Sequence, residues 1–585
     1  MLNKVISVIM AYVISITGFV YSSFNGMIDS LSEMIFGLPY SAEAVKDDFF
    51  SSITYNDIES LDGENGYIND KIAVFISPDA SFSDKIAFFS SCGGKLVGWS
   101  TPADLYVLDY NKMAYNAIEA KCRSLALNDI VELAIPVTAA KYDTDKTPSD
   151  DFEYSDIYGE WDEINPEGRN WWLEAIDARQ AWDYSDYFSN INIGIIDAGY
   201  DLDHPELEGK IKFPDSKTAG RNYQDSHGTH VAGIIGAHHN GIGIAGICDN
   251  SDLICVDWIP EGLQLWIPDL AIYFGFSSVV KAGAKVVNLS LGSSGSKTGN
   301  APLLLERFIT PAAYSYMMSS LLAKGYDFVV VQSAGNGDAD TNPIDASNNG
   351  SFTTITADNV FTGSNNVSAD DIVNRIIVVS SVENKGSGKY TQSWFSNVGK
   401  RVDIAAPGED IYSLSIDGGY EYMSGTSMSA PVVTAVSSLV WSVNPEFTGA
   451  DIKDIVCSST DSVAAINESA VYIYDVELME YPVVNAKLAV EEAIRRTDSA
   501  VGTVKGTIIG EAEEIVYAGV SHTICSDGTY SFVAPSGSGK ATVVDKNGNA
   551  VGEFDISITA KETTDAGEFV TEKSEPETQT RAILA

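Results

Sequence analysis

Three side chains of the kind that together activate a hydroxyl nucleophile stand at turning points of this sequence. Asp197 closes the apolar run INIGIID, His227 opens the helical stretch HGTHVAG, and Ser427 sits in SGTSMSAP at the start of another helix. A serine hydroxyl is a poor nucleophile until a base takes its proton. Histidine, with an unperturbed pKa of about 6.5, accepts and returns a proton near neutrality. A buried carboxylate fixes the imidazole tautomer and stabilises the imidazolium. A helix start at Ser427 aims free N–H groups and a positive dipole end at a developing oxyanion. Gly425 leaves room for close approach, and Pro431 is expected in the first helical turn, where proline is tolerated. A second oxyanion donor is available in DFVVVQSAGN, where Asn336 follows a buried strand and a glycine.

Reactive groups collect beyond the carboxyl ends of strands in an open parallel sheet, and the sequence supplies such a sheet. After Trp171, short and nearly all-apolar runs alternate with helical stretches: INIGIID, DLICVDW, AKVVNLSLG, DFVVVQSAGN, NRIIVVSSV and VDIAAPG, with helices such as TPAAYSYMMSSLLAKG and APVVTAVSSLVW between and after them. Strands apolar on both faces, separated by helices, mean an α/β unit with helices on each side of a parallel sheet. It closes with the helix-like NAKLAVEEAIRR near residue 497.

Ahead of it, residues 67–140 read as a small α/β unit of β-α-β-α-β order, with Ser81 capping its first helix and Gly93–Gly94 stopping it. Residues 24–66 carry few patterns. Residues 141–170 are acidic and rich in Asp, Tyr, Pro and Gly, an exposed linker of the kind proteases cut. From 501 to 560, alternating runs separated by Gly, Ser and Asn-Gly turns indicate a small all-β sandwich. The Glu/Thr-rich segment 561–585 reads as a disordered acidic tail.

At 585 residues the chain calls for three or four units. Its formal net charge of -45 repels nucleic acid and anionic lipid, which argues against nucleic-acid partners and suits an extracellular or cation-binding protein. Six cysteines are too few for a disulfide framework, and no CxxC or zinc spacing occurs. Cys248 and Cys255 are close enough to pair, but free buried thiols are expected. Lys4, the apolar run Val5–Tyr21 and the pair Ser22–Ser23 form a signal-peptide pattern over 1–23, with membrane attachment as the alternative if it is not cleaved.

IIDAGYDLDHPEL, HGTHVAG, SAGN and SGTSMSAP resemble the four signature blocks of the subtilisin-like serine peptidases, in that family's order of Asp, His, Asn and Ser. NLSLGSS resembles its substrate-binding strand, and FSNVGKRVDIAAPG the segment before its serine block. The likeness runs from about Trp171 to Arg496. It implies a subtilisin-like peptidase domain over 171–497, with Asp197, His227, Ser427 and Asn336 as catalytic groups. It further implies polypeptide substrates, and a zymogen whose 67–140 unit is an inhibitory prodomain released by cleavage within 141–170. Ser290, Leu291 and Gly292, with Ser333, Ala334 and Gly335, would line the pocket and pair with an extended peptide. Gly337 stands where some relatives place a preference-tuning side chain, so apolar or broad specificity is expected. No organic cofactor is implied. A structural calcium is, at Glu206, the Asn240 side chain and loop carbonyls such as that of Ile242; an ordinary acidic turn is the alternative there. The segment Asp338–Asn374 is longer than the family's minimal connection, and Val432 stands where many relatives have histidine.

Other readings compete at single residues. HGTH lacks the HExxH pattern, so His227 is favoured as a base over a metal ligand. His204 and His230 are expected to be structural, and His238 and His239 to lie at a solvated helix end. Met423 and Met428 fit packing, and Trp171 and Trp172 fit an anchor for the domain's start. Two other classes remain: an inactive binding protein of the same shape, and a surface adhesin acting through its β-sandwich. An active enzyme, secreted or held at the cell surface, should gain activity as pH rises through about 6–7.

Overall fold

The computed structural model describes residues 58–60, 65–141, 170–214, 226–257, 265–266, 268–292, 302–337, 342–386, 388–472, 476–525 and 528–571. The signal segment, most of the patternless stretch after it and nearly all of the acidic linker lie outside these residues. The chain divides into two compact units.

The first unit holds the described residues up to 141 together with 265–277 and 363–365. Its elements are β1 (Asn65–Ile76), α1 (Phe82–Ser91), β2 (Lys95–Ser100), β3 (Leu105–Asp109), α2 (Tyr115–Leu125) and β4 (Val131–Lys141). The strands pair antiparallel in the order β2-β3-β1-β4, a split β-α-β arrangement. Ile72, Val74 and Ile76 of β1 meet Phe88 of α1 and Ile118 and Cys122 of α2 in its core. Ser81 caps α1 as expected: its hydroxyl accepts from Asp84 N (3.2 Å) while the Asp84 carboxylate accepts from Ser81 N (3.1 Å). Strand β2 was not expected. KLVGWS follows the helix stop at once and carries little alternation, so it is specified by pairing with β3 more than by its own pattern.

In the second unit, β5 (Ile191–Asp197), α3 (His227–Gly236), β6 (Ser251–Asp257), α4 (Pro268–Lys281, its N-terminal part grouped with the first unit), β7 (Val286–Leu289), α5 (Pro302–Ala323), β8 (Val329–Ser333), β9 (Ile376–Asn384) and β10 (Ile404–Pro407) alternate down the chain. A hairpin of β11 (Ile411–Leu414) and β12 (Tyr420–Met423) leads into α6 (Thr426–Val443), followed by α7 (Gly449–Ser458), β13 (Tyr481–Val483) and α8 (Ala486–Thr497). The sheet core is parallel, in the order β10-β9-β8-β7-β5-β6. The chain runs from β5 to β6 on one side and then to β7 on the other, so a crevice opens between the carboxyl ends of β5 and β7. Helix α6 is apolar and long enough to cross a bilayer by composition, yet 94% of it is buried inside the fold, where it packs on α3, α8 and the sheet. Its Val, Ala, Leu and Trp side chains belong to a core shared with Trp171 and Trp172.

The C-terminal module forms two sheets within the same unit. One orders β17 (Thr529–Pro535), β14 (Val501–Ile509) and β20 (Thr563–Val570). The other orders β16 (Val520–Thr523), β15 (Glu514–Tyr517), β18 (Gly537–Val544) and β19 (Ala550–Ile558). Strand β20 corrects the expected tail from 561: it pairs in parallel with β14, and the Phe569 ring stacks on Phe554 at 4.8 Å. Its Glu/Thr composition suggested disorder, but those residues share an exposed edge strand with inward partners. Cys92, Cys122, Cys248, Cys255 and Cys457 are free thiols, so Cys248 and Cys255 do not pair.

Candidate active site

Each of the three reactive side chains is delivered by a different element to the crevice end of the sheet. Asp197 is the last residue of β5 and is buried. Its Oδ1 accepts from Ala198 N (2.7 Å) and faces His227 Nδ1 at 2.6 Å. A carboxylate only accepts, so the proton of that contact belongs to Nδ1, which leaves Nε2 as the basic nitrogen. The approach of α3 depends on Gly228, whose N–H donates to Ala198 O (2.7 Å). A Cβ at Gly228 would fall 2.6 Å from Gly199 O, so any larger residue would push His227 away from Asp197.

Ser427 lies in the first turn of α6, with Gly425 at the cap. Its Oγ donates to Ser290 O (3.3 Å) just past β7, and Ser290 Oγ donates in return to Ser427 O (2.7 Å). Ser290 Oγ also accepts from Asn288 Nδ2 (2.9 Å), and Asn288 Oδ1 accepts from Thr434 Oγ1 (2.9 Å). This buried relay locks α6 to β7.

Asn336 is exposed at the mouth of the crevice, beyond β8. Its Oδ1 accepts from both Thr426 N (2.9 Å) and Thr426 Oγ1 (2.8 Å), and Thr426 Oγ1 accepts from Gly335 N (3.1 Å). With Oδ1 engaged by two donors, the amide orientation is fixed and Nδ2 turns toward Gly425. The point where a Gly425 Cβ would lie is 3.2 Å from Asn336 Nδ2 and 3.6 Å from Ser427 N, so two N–H donors border one small space. The loop around Asn336 is held by Asn397, which is 1% exposed. Asn397 Nδ2 donates to Ala334 O (2.9 Å), and its Oδ1 accepts from Gly337 N (3.0 Å) and Ile344 N (3.0 Å). Gly335 takes φ +99, which a side chain would strain. Neither Thr426 nor Asn397 was singled out in the sequence. Both stood in quoted blocks, but their partners lie 53 to 91 residues away.

The other histidines are spoken for. His230 Nε2 faces the carbonyls of Ile411 (3.0 Å) and Glu421 (3.3 Å), and complete burial pushes its pKa down to about 3, so it stays neutral. His204 faces Gly419 O (3.0 Å) through Nε2 and accepts from Glu206 N (3.2 Å). His238, expected in solvent, bridges Glu208 O (3.0 Å) and Asp249 Oδ1 (3.3 Å).

The residues implied for calcium do not converge on a cation. Glu206 is fully buried; its Oε1 accepts from the Tyr420 hydroxyl and its Oε2 from Ile244 N (3.0 Å). Asn240 Oδ1 accepts from Ile242 N (3.1 Å) in an exposed turn. A calcium ion needs oxygen lone pairs aimed at one point. Here N–H and O–H donors face them, and burial raises the Glu206 pKa. This arrangement does not fit the ion.

A carboxylate, an imidazole, a hydroxyl and paired N–H donors at the switch point of a parallel sheet define a hydrolase site of the nucleophilic-serine class. Comparison with known proteins extends this. Residues 189–477 match the subtilase family. The chain is 30% identical over 273 residues to subtilisin from Bacillus pumilus, covering 46% of this chain and 82% of that one. It is 28% identical over 412 residues to the thermophilic serine proteinase of Bacillus sp. (strain AK1), covering 69% and 85% respectively. Fervidolysin from Fervidobacterium pennivorans, a keratinolytic enzyme related to subtilisin, shares the fold at a TM-score of 0.51 and 20% identity, over 87% of this chain and 79% of its own. The chain belongs to the subtilase family, and it is a serine-type endopeptidase.

Proposed function

We propose that Asp197, His227 and Ser427 are the triad of a secreted endopeptidase made as a zymogen, with Asn336 Nδ2 and Ser427 N as its oxyanion donors. The observation that carries the assignment is the 2.6 Å contact of Asp197 with His227 Nδ1, which leaves Nε2 as the base at the crevice that also holds Ser427 and Asn336. Rotation about the Ser427 Cα–Cβ bond turns Oγ from Ser290 O toward that nitrogen. As Oγ bonds to the scissile carbonyl carbon, its proton passes to Nε2 and the carbonyl oxygen takes the negative charge beside Asn336 and Ser427 N. Asp197 stabilises the imidazolium, which protonates the leaving amine as the C–N bond breaks. Water then repeats the sequence and frees the acyl group and Ser427. An extended polypeptide pairs with Ser290–Gly292 and Ser333–Gly335. No step runs through a metal.

The domain plan belongs to the same reading: a signal segment over 1–23, an inhibitory prodomain over 67–140, cleavage within 141–170, and a β-sandwich after the peptidase domain. The apolar N-terminal run, the folded unit of residues 65–141 and kinship with the subtilases support it. A fluorophosphonate should label Ser427, and Ser427→Ala should abolish both labelling and peptide hydrolysis. N-terminal sequencing of the secreted wild type beside Ser427→Ala tests self-processing; identical mature ends in both would assign the cut to another protease.

A further inference from the structure

The strand ends Ser290–Gly292 and Ser333–Gly335 flank the reacting hydroxyl and are tied together, since Gln332 Nε2 (3.1 Å) and Ser333 Oγ (3.3 Å) both donate to Leu291 O. One side chain from outside either strand lies between them. A Cβ built on Gly292 would fall 2.1 Å from Asn349 Oδ1 and 2.3 Å from its Nδ2, and a Cβ on Gly335 would fall 2.4 Å from the same Oδ1. The Asn349 carboxamide therefore fills the space into which Gly292 would otherwise project a side chain, and shares the space beside Gly335 with Asn397 Nδ2, 2.5 Å from the same Cβ position. It is 3% exposed, and its Nδ2 donates to Ser333 O (2.9 Å).

The carboxamide is also rigidly mounted. Asp345 caps the short turn Ala346–Asn348 by accepting from Ser347 N (2.8 Å), Ala346 N donates to Val398 O (2.8 Å), and Asn349 N donates back to Ala346 O (3.0 Å). This turn belongs to the long segment 338–374 that made specificity illegible in the sequence.

We propose that Asn349 closes the slot between the two strands, so that this enzyme cleaves after residues with small side chains (Gly, Ala, Ser) and rejects large apolar ones there. The inference rests on the reading of these strands as the substrate-gripping pair. A peptide held between them directs the side chain preceding the scissile bond into the slot. A methyl or hydroxymethyl group fits beside a planar amide. A leucine or phenylalanine side chain has to displace it, breaking the bond to Ser333 O and leaving two buried polar groups unpaired. Asn349, rather than the bare Gly337, then sets the size limit, which narrows the expected apolar or broad preference.

The experiment digests an unfolded protein with the mature enzyme and maps the residue before each cut by mass spectrometry. Wild type should cut after Gly, Ala and Ser at least tenfold more often than after Leu, Phe and Tyr, corrected for abundance. Asn349→Gly should shift that ratio toward the large residues by tenfold or more. Frequent wild-type cleavage after Leu or Phe overturns the proposal, as does an unchanged ratio in a variant that melts like wild type. If Asn349→Gly does not fold, Asn349→Ala is read the same way, and the wild-type ratio stands as a decision on its own. A mature wild type that neither cuts nor takes up fluorophosphonate would instead refute the peptidase site assignment.

Discussion

Ser290 Oγ donates to the carbonyl of Ser427 across 2.7 Å because Pro431 cannot. Pro431 lies four residues beyond Ser427 inside α6, so it stands where a helix would send an N–H back to that carbonyl. The sequence suggested that this proline sat harmlessly in the first turn. It lies in the second turn of α6, which begins at Thr426, and a hydroxyl from just past β7 supplies the missing donor. This exchange of donors couples the backbone of Ser427, the proposed nucleophile, to the strand end proposed to grip the substrate.

Ser290→Ala should therefore lower unfolding stability by about 1–3 kcal/mol, the cost of a stranded buried carbonyl. Adding Pro431→Ala restores an N–H, so the double variant should be more stable than Ser290→Ala alone. Urea unfolding in a Ser427→Ala background, where autolysis is absent, measures this. Simple additivity of two losses would refute the coupling.

Thr426 fixes the Asn336 amide through its N–H and its hydroxyl. Thr426→Val removes one of the two donors on Asn336 Oδ1 and frees the amide to turn. We expect kcat to fall by about tenfold or more with KM little changed, because a loosened oxyanion donor is felt in the transition state. Thr426→Ser should restore most of the rate. A matching rise in KM would point to a general distortion of the site.

The Glu206–Tyr420 contact makes a clear distinction from a metal site. Tyr420→Phe leaves a buried carboxyl oxygen without its donor and should destabilise the protein by about 1–3 kcal/mol. That loss should be the same with calcium and with EDTA. If calcium rescues Tyr420→Phe, or if Glu206→Gln abolishes a calcium-induced rise in Tm, the carboxylate binds the ion after all.

Protonation of His522 should weaken the join between the C-terminal module and the peptidase domain, opposed there by Asp183, whose carboxyl pKa burial raises to about 6 so that acid favours its folded form. His522 is buried, stacked on Phe532 at 4.2 Å, and neighbours the Thr523 N to Asp183 Oδ2 bond (2.9 Å). Burial and, secondarily, the Lys487 charge push its pKa down from 6.5 to about 4. The unfolded chain thus binds at His522 a proton that the folded chain refuses between about pH 6.5 and 4, so the His522 contribution to stability is full above this window and is lost through it as pH drops. His230, depressed to about 3, acts with the same sign. Between pH 7 and 4.5 the His522 share is on the order of 2–3 kcal/mol. His522→Gln should flatten the pH dependence of urea unfolding by that amount; an equal slope in both proteins would place the acid sensitivity elsewhere.

How much of this was legible varies with distance along the chain. The apolar runs of β5, β7, β8 and β9, the helix start at His227 and the order of the Asp, His, Asn and Ser blocks are local patterns; the fold class followed from them, and the proposed site residues were read from them. Strand β2 and strand β20 were missed because neither has a decisive pattern of its own; pairing with β3 and β14 creates them.

The sequence by itself determined which chemical groups are present and which elements carry them, because hydrophobic period, caps and residue type act over a few neighbouring residues. Only the tertiary structure decided who partners whom: Asn397 bracing the Asn336 loop, Tyr420 taking the place of a cation at Glu206, and Asn349 filling the space between Gly292 and Gly335. A hydrogen bond or a filled gap depends on distances of a few tenths of an ångström between residues far apart in the chain, and residue types in order carry no such distances until the core has packed.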